Sequence, residues 1–228
     1  MDELRRHQMV FGVLMPFIHV FNKWKFNYEF DSLKDIEGPY LILPNHNLEL
    51  DPLLIGEAVG KQIYFVASEH LMRKGIATKL LMHFLKPIIH MKGRQGAKTV
   101  KQMLRTLQEG HKVCIFPEGT RNKINDTFLP FHDGSFKIAD KGGVPVIPMT
   151  IVNSADVFED HFPKLKPTTV IIDFGKPIYL NELDKDTRKN VGTYTADLIL
   201  NRYFELKEEY IKKAENSAYQ SSEREKIA

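Results

Sequence analysis

Six short apolar runs, at residues 40–44, 63–67, 87–91, 113–116, 146–152 and 170–174, limit how this chain can fold. None alternates cleanly between apolar and polar side chains, as a strand with one solvated face would. Helix-length stretches lie between them: residues 52–59 ending at Gly60, 76–85, 98–108 ending at Gly110, and 135–141 stopped by Gly142-Gly143. Buried strands alternating with helices place the chain in the α/β class, with a sheet covered on both faces. A long charged helical stretch, residues 184–212, follows the last run, and the polar residues from 216 to 228 read as a frayed tail.

A chain of 228 residues is long enough to bury a substantial core. Its 43% hydrophobic and 27% charged content argues against a disordered or fibrous chain. A net charge of +3 is too small to point to nucleic acid, and it is compatible with an anionic membrane surface. The single cysteine, Cys114, excludes an intramolecular disulfide, which fits a reducing intracellular compartment, and its apolar surroundings read as those of a buried small hydrophobe. The most apolar stretch, residues 9–21, is too short for a transmembrane helix, which needs about 20 apolar residues. No small-x-small cleavage site follows it, Pro16 interrupts it, and Phe17, Val20, Phe21 and Trp24 fall on one helical face. Residues 3–26 therefore read as a helical element lying on a membrane, with a core-packing helix as the other reading.

In α/β folds the chemistry sits in the loops that follow strands. The first such loop, after residues 40–44, reads Asn45-His46-Asn47-Leu48-Glu49-Leu50-Asp51. Five residues along an α-helix turn through about 500°, so His46 and Asp51 meet only if the segment between them is a turn. Asp51 as N-cap and Pro52 at the first helical position supply that turn. A carboxylate so placed holds a ring N–H of His46, fixes its tautomer and stabilises the imidazolium. One carboxylate oxygen would cap the helix while the other faces the histidine. An ordinary capped turn with a bystander histidine uses the same residues. The second loop, Phe116-Pro117-Glu118-Gly119-Thr120-Arg121, presents Glu118, Thr120 and Arg121 at a strand's carboxyl end, with a guanidinium suited to phosphate. A surface turn with a solvated ion pair is its plainer reading. The third, Lys92-Gly93-Arg94-Gln95-Gly96-Ala97-Lys98, offers basic residues ahead of a helix N-terminus but lacks the P-loop spacing.

These residues carry a resemblance. His46-x-x-x-x-Asp51 after Pro44-Asn45 resembles the first motif of the glycerolipid acyltransferases, Phe116–Arg121 looks like their third, and Val144-Pro145-Val146-Ile147-Pro148 is similar to their fourth. The order and separations match as well, over residues 37–178. Within that family the bacterial 1-acyl-sn-glycerol-3-phosphate acyltransferases are most similar. The resemblance implies a mixed α/β sheet flanked by helices, an acyl-CoA or acyl-carrier-protein donor and a lysophosphatidate-like acceptor. It also implies an N-terminal helical element embedded in one leaflet at the cytoplasmic face of the cell membrane. It implies His46 as the base that deprotonates the acceptor hydroxyl and Asp51 as its partner. Glu118, Gly119, Thr120 and Arg121 would bind the acceptor. The second motif is less clear, since the stretch reads Ile89-His90-Met91-Lys92-Gly93-Arg94, with Arg94 the best match for a phosphate-binding arginine. After the third motif a Phe-Lys-rich stretch is replaced by Phe131-His132-Asp133-Gly134.

The expected organisation is an N-terminal membrane-interfacial helical segment at 1–30, an acyltransferase domain at 31–212 and a polar tail at 213–228. The expected reaction is direct attack of the acceptor hydroxyl on the thioester, with no acyl-enzyme, since no GxSxG elbow is present. Neither metal nor cofactor is expected, because Glu49 between His46 and Asp51 adds too few ligands in one loop. Oxyanion stabilisation is expected from backbone N–H groups, with the Pro52 helix start as one place for them and no donor singled out by the sequence. The alternatives are another acceptor, such as a different lysophospholipid, glycerol 3-phosphate or a glycolipid, a non-catalytic lipid-binding protein, or a thioesterase.

Overall fold

The computed structural model describes residues 3–30, 36–73, 75, 87–91, 96–122, 127–159, 162–163 and 168–227. The helix expected at 76–85 and the basic residues at 92–95, including Arg94, lie outside them. Helix α1 (Glu3–Lys25) leads into strand β1 (Phe26–Phe30), followed by β2 (Leu41–Pro44), α2 (Asp51–Val59), β3 (Ile63–Ser68), β4 (Ile88–His90) and α3 (Gly96–Gln108). Then come β5 (Lys112–Cys114), α4 (Asp133–Gly142), β6 (Val146–Val152), the short antiparallel pair β7 (Phe158–Glu159) and β8 (Phe162–Pro163), β9 (Thr168–Phe174), α5 (Lys185–Lys189) and α6 (Val191–Ile227).

The main sheet has the order β1-β9-β6-β2-β5-β3-β4. Five neighbouring strands, from β6 to β4, run parallel, and the antiparallel β6–β9 pair reverses the sheet so that β9 and β1 run the other way. The sheet is therefore mixed. Strand β2 is buried along its whole length, as expected of a run without alternation. Its side chains still point alternately up and down. Tyr40 and Ile42 pack with Ile55, Val59 and Phe65 in one apolar cluster, while Leu41 and Leu43 pack with Met103, Leu107, Phe136 and Ile199 in the other. Helix α2 thus covers one face, and α3, α4 and α6 cover the opposite face.

That arrangement decides where a ligand fits. The chain leaves β2 through α2 on one face and reaches β3, beyond β5. It leaves the adjacent strand β5 through α4 on the other face and reaches β6, beyond β2. Two neighbouring parallel strands whose connections depart in opposite directions leave a crevice outside their carboxyl ends.

Two boundaries differ from the sequence expectation. Helix α1 stops at Lys25, and residues 26–30 form an edge strand paired with β9, so the last part of segment 1–30 belongs to the main sheet. At the other end α6 continues through Ile227, across the residues read as a polar tail. Among the described residues, the Glu57 carboxylate of α2 ties α1 and β1 to that helix. Glu57 accepts from Asn22 Nδ2 and from the Tyr28 hydroxyl, and lies against His19 Nδ1, each at 2.5 Å. The outward side of α1 carries Met9, Val13, Phe17, Val20 and Trp24, all more than half exposed. Among the described residues no helix is long and apolar enough to cross a membrane.

Candidate active site

His46 and Asp51 meet at the mouth of the crevice. The His46 Nδ1 to Asp51 Oδ2 distance is 2.8 Å, with 15% of the histidine side chain exposed and the aspartate fully buried. The intervening residues form the turn that the spacing required, but its details differ by one position. Leu50 is the N-cap, without a side-chain cap bond, and Asp51 is already helical. The carboxylate does not divide its oxygens between helix and histidine. Oδ2 alone accepts from His46 Nδ1, from the Asn47 amide at 3.0 Å and from the Leu48 amide at 2.9 Å. Asp51 Oδ1 is buried and finds no hydrogen-bond partner among the described residues. A buried carboxylate with one uncompensated oxygen holds a negative charge that a neighbouring imidazolium would answer.

An Asp51 acceptor requires the proton on Nδ1, which leaves Nε2 of His46 with a free lone pair. The ring plane is fixed from the other side by Phe116, stacked at a centroid separation of 3.8 Å and an interplanar angle of 26°. Phe116 belongs to the loop after β5, so loops from the two central strands together position the His46 ring. The backbone of His46 is held by that same loop. Glu118 Oε1 accepts from the His46 amide at 3.0 Å, and the Asn122 amide donates to the His46 carbonyl at 2.7 Å. The side-chain amide of Asn47 donates to the Asn122 carbonyl at 3.2 Å. Asn45, fully buried, exchanges hydrogen bonds with the Ile151 amide and carbonyl, extending the β2–β6 pairing by one side chain.

The second loop divides into a buried and an exposed half. Glu118 is only 3% exposed, and its second oxygen accepts from the Leu129 amide at 3.0 Å. It follows the strand's carboxyl end as the sequence predicts, but its side chain is turned inward, unlike those of Thr120 and Arg121. Burial pushes its carboxyl above the ordinary value, against the opposing pull of the Leu129 and His46 amides. Gly119 closes the turn with its amide on the Phe116 carbonyl and has φ +68°, a conformation that disfavours a side chain. A Cβ at this position would also lie 3.2 Å from the His132 ring. Thr120 and Arg121 are exposed. Arg121 Nη2 lies 3.2 Å from Glu49 Oε1, a surface pair of the kind that stabilises little and exchanges readily for a bidentate anion.

Two further expectations meet the geometry. Cys114 is fully buried, and desolvation with the nearby Asp51 charge raises its thiol well above the usual range, so it is no nucleophile. At the helix start, most of the backbone donors are already engaged. The amides of Asn47, Leu48, Asp51, Leu53 and Leu54 already have acceptors inside the turn, and Pro52 has no N–H. Sequence reasoning passed over Asn45 and Asn122. Their signal was an asparagine directly flanking each motif, which is a residue type that bridges backbone groups at loop ends.

The family whose model matches residues 25–152 is described as Acyltransferase. A Borreliella burgdorferi 1-acyl-sn-glycerol-3-phosphate acyltransferase is 26% identical over 168 residues, covering 73% of this chain and 67% of that protein. A Mycoplasma pneumoniae protein named "Probable 1-acyl-sn-glycerol-3-phosphate acyltransferase" is 28% identical over 166 residues, and the chain spans only 62% of its length. The crystal structure of the 1-acyl-sn-glycerophosphate (LPA) acyltransferase PlsC from Thermotoga maritima shares the fold, with a TM-score of 0.69 over 90% of this chain and 83% of that one, at 21% identity.

Proposed function

The chain belongs to the Acyltransferase family, and from that premise we propose that it transfers a fatty acyl group from an acyl thioester to the free hydroxyl of lysophosphatidate. The observation that carries this reading is the 2.8 Å contact between His46 Nδ1 and the buried Asp51 carboxylate, in the crevice between β2 and β5. Two matched relatives named for 1-acyl-sn-glycerol-3-phosphate acylation support the choice of acceptor.

In the proposed reaction Nε2 of His46 takes the proton of the acceptor hydroxyl as its oxygen bonds to the thioester carbonyl carbon. The C–S bond then breaks, and the same proton passes from the imidazolium to the departing thiolate. Asp51, with one oxygen left uncompensated, stabilises the cation between those two steps. Arg121, on the exposed half of the second loop, binds the acceptor phosphate in exchange for Glu49. The donor is acyl-CoA or acyl-carrier protein, and the apolar side of α1 rests on the membrane that holds the acceptor.

The test is thiol release from acyl-CoA and from acyl-carrier protein, measured with a panel of acceptors. Lysophosphatidate should support release and yield phosphatidate by mass spectrometry, with other lysophospholipids and glycerol 3-phosphate slower. Release without any acceptor would make the protein a thioesterase. No release with any acceptor would overturn the catalytic reading.

A further inference from the structure

Most of the atoms that fix His46 come from the loop after β5, and two of its side chains there are hidden from the crevice. Glu118 and Asn122 are each 3% exposed. Glu118 takes the His46 amide on one oxygen and the Leu129 amide on the other, each at 3.0 Å. Asn122 donates its amide to the His46 carbonyl at 2.7 Å and sends its side-chain nitrogen to the Thr127 carbonyl. The two ends of one residue's backbone are thus held by two positions, four residues apart, in the loop after β5. That loop also carries Phe116, the ring on which His46 stacks.

We propose that Glu118 and Asn122 form a backbone clamp that sets the position of His46, and that Glu118 is a positioning residue and not a ligand for the acceptor headgroup. This rests on the reading of His46 as the general base. A headgroup ligand has to present a donor to phosphate, whereas an ionised Glu118 presents only acceptors. Both of its oxygens are already engaged by backbone N–H groups, and leaving either group unmade inside the protein is costly. The loop after β5 therefore has two tasks on its two halves. Its buried half, Glu118 and Asn122, holds the base, and its exposed half, Thr120 and Arg121, meets the substrate. A general base displaced by about 1 Å can lose 10²-fold in rate, so a clamp on its backbone shows in turnover before it shows in binding.

Glu118→Gln keeps the size of the side chain but sets an NH2 group against one of the two backbone donors. The expected result is a turnover number lower by about 10–100-fold, with the acceptor KM changed by less than about twofold and the same loss on phosphate-bearing and phosphate-free alcohols. Arg121→Ala should give the opposite split. Assays are run well below the midpoint of each variant, which separates the clamp from simple loss of folded protein. A raised KM confined to phosphate-bearing acceptors would overturn the clamp and return Glu118 to the headgroup. Amide hydrogen exchange gives a readout that needs no turnover. The His46 amide should exchange about tenfold faster or more in Glu118→Gln, and unchanged protection would overturn the proposal even if the wild-type chain proved inactive.

Discussion

A histidine acts as a base only when its tautomer, its ring plane and its backbone are all fixed, and in this chain each is fixed by a different group. Asp51 sets the tautomer, Phe116 the plane, and Glu118 with Asn122 the backbone. Arg121 stands apart, on the surface with Glu49. Arg121→Ala should therefore raise KM for a phosphate-bearing acceptor by about tenfold, the scale of one charge-assisted hydrogen bond, and leave phosphate-free alcohols unaffected. Steady-state kinetics on both acceptor classes checks this, and an equal effect on both would mean that the guanidinium does not read phosphate. Glu118 has a separate signature in pH. Burial raises its carboxyl above the ordinary 4.5. Above that value the unfolded chain has released a proton that the native state keeps, so this group's stabilisation is present at low pH and is lost as pH climbs through the raised value. Calorimetric midpoints of the wild type should fall relative to those of Glu118→Gln as pH rises from 4.5 through that raised value, whereas parallel curves would deny the shift.

At the scale of elements, α1 has a docked side and an open side. His19, Asn22 and Tyr28 meet Glu57 of α2, while Phe17 (70% exposed) and Trp24 (68% exposed) face outward. A stripe of large apolar side chains on one side of a helix suits the boundary between lipid headgroups and acyl chains. Phe17→Asp combined with Val20→Asp should weaken co-sedimentation with anionic phospholipid vesicles by at least about tenfold without changing turnover on a short-chain, water-soluble acceptor. Equal co-sedimentation would refute the membrane role of this face. The stripe was legible in the sequence because helical spacing alone places it. The end of α1 was legible to within one residue, but the strand after it was not, because Phe26 to Phe30 carry no turn signal and become a strand only by pairing with β9, which lies 142 residues further on. Helix α2 was read correctly to its end at Gly60, in the left-handed conformation with φ 61°. Its start was read one residue late, because Asp51 spends its carboxylate on the histidine turn and leaves the cap position to Leu50.

Across the whole molecule, a sheet with helices on both faces was legible because buried strands without alternation admit few other architectures, while its mixed character followed only from the family resemblance. The crevice was not, because strand order and the opposite departures of the chain from β2 and β5 are set by long-range pairing. The pairing of His46 with Asp51 was legible from spacing and from the Pro52 helix start. The burial of Glu118 was not, since a carboxylate in a Pro-Glu-Gly turn looks solvent-facing until Leu129 and His46 are folded onto it. These long-range contacts all converge on one imidazole, and the most direct test is made there. With lysophosphatidate and acyl-CoA, His46→Ala should lose about 10²–10⁴-fold in turnover while keeping the wild-type thermal midpoint. A folded His46→Ala protein that retained more than about a tenth of the wild-type rate would contradict the account.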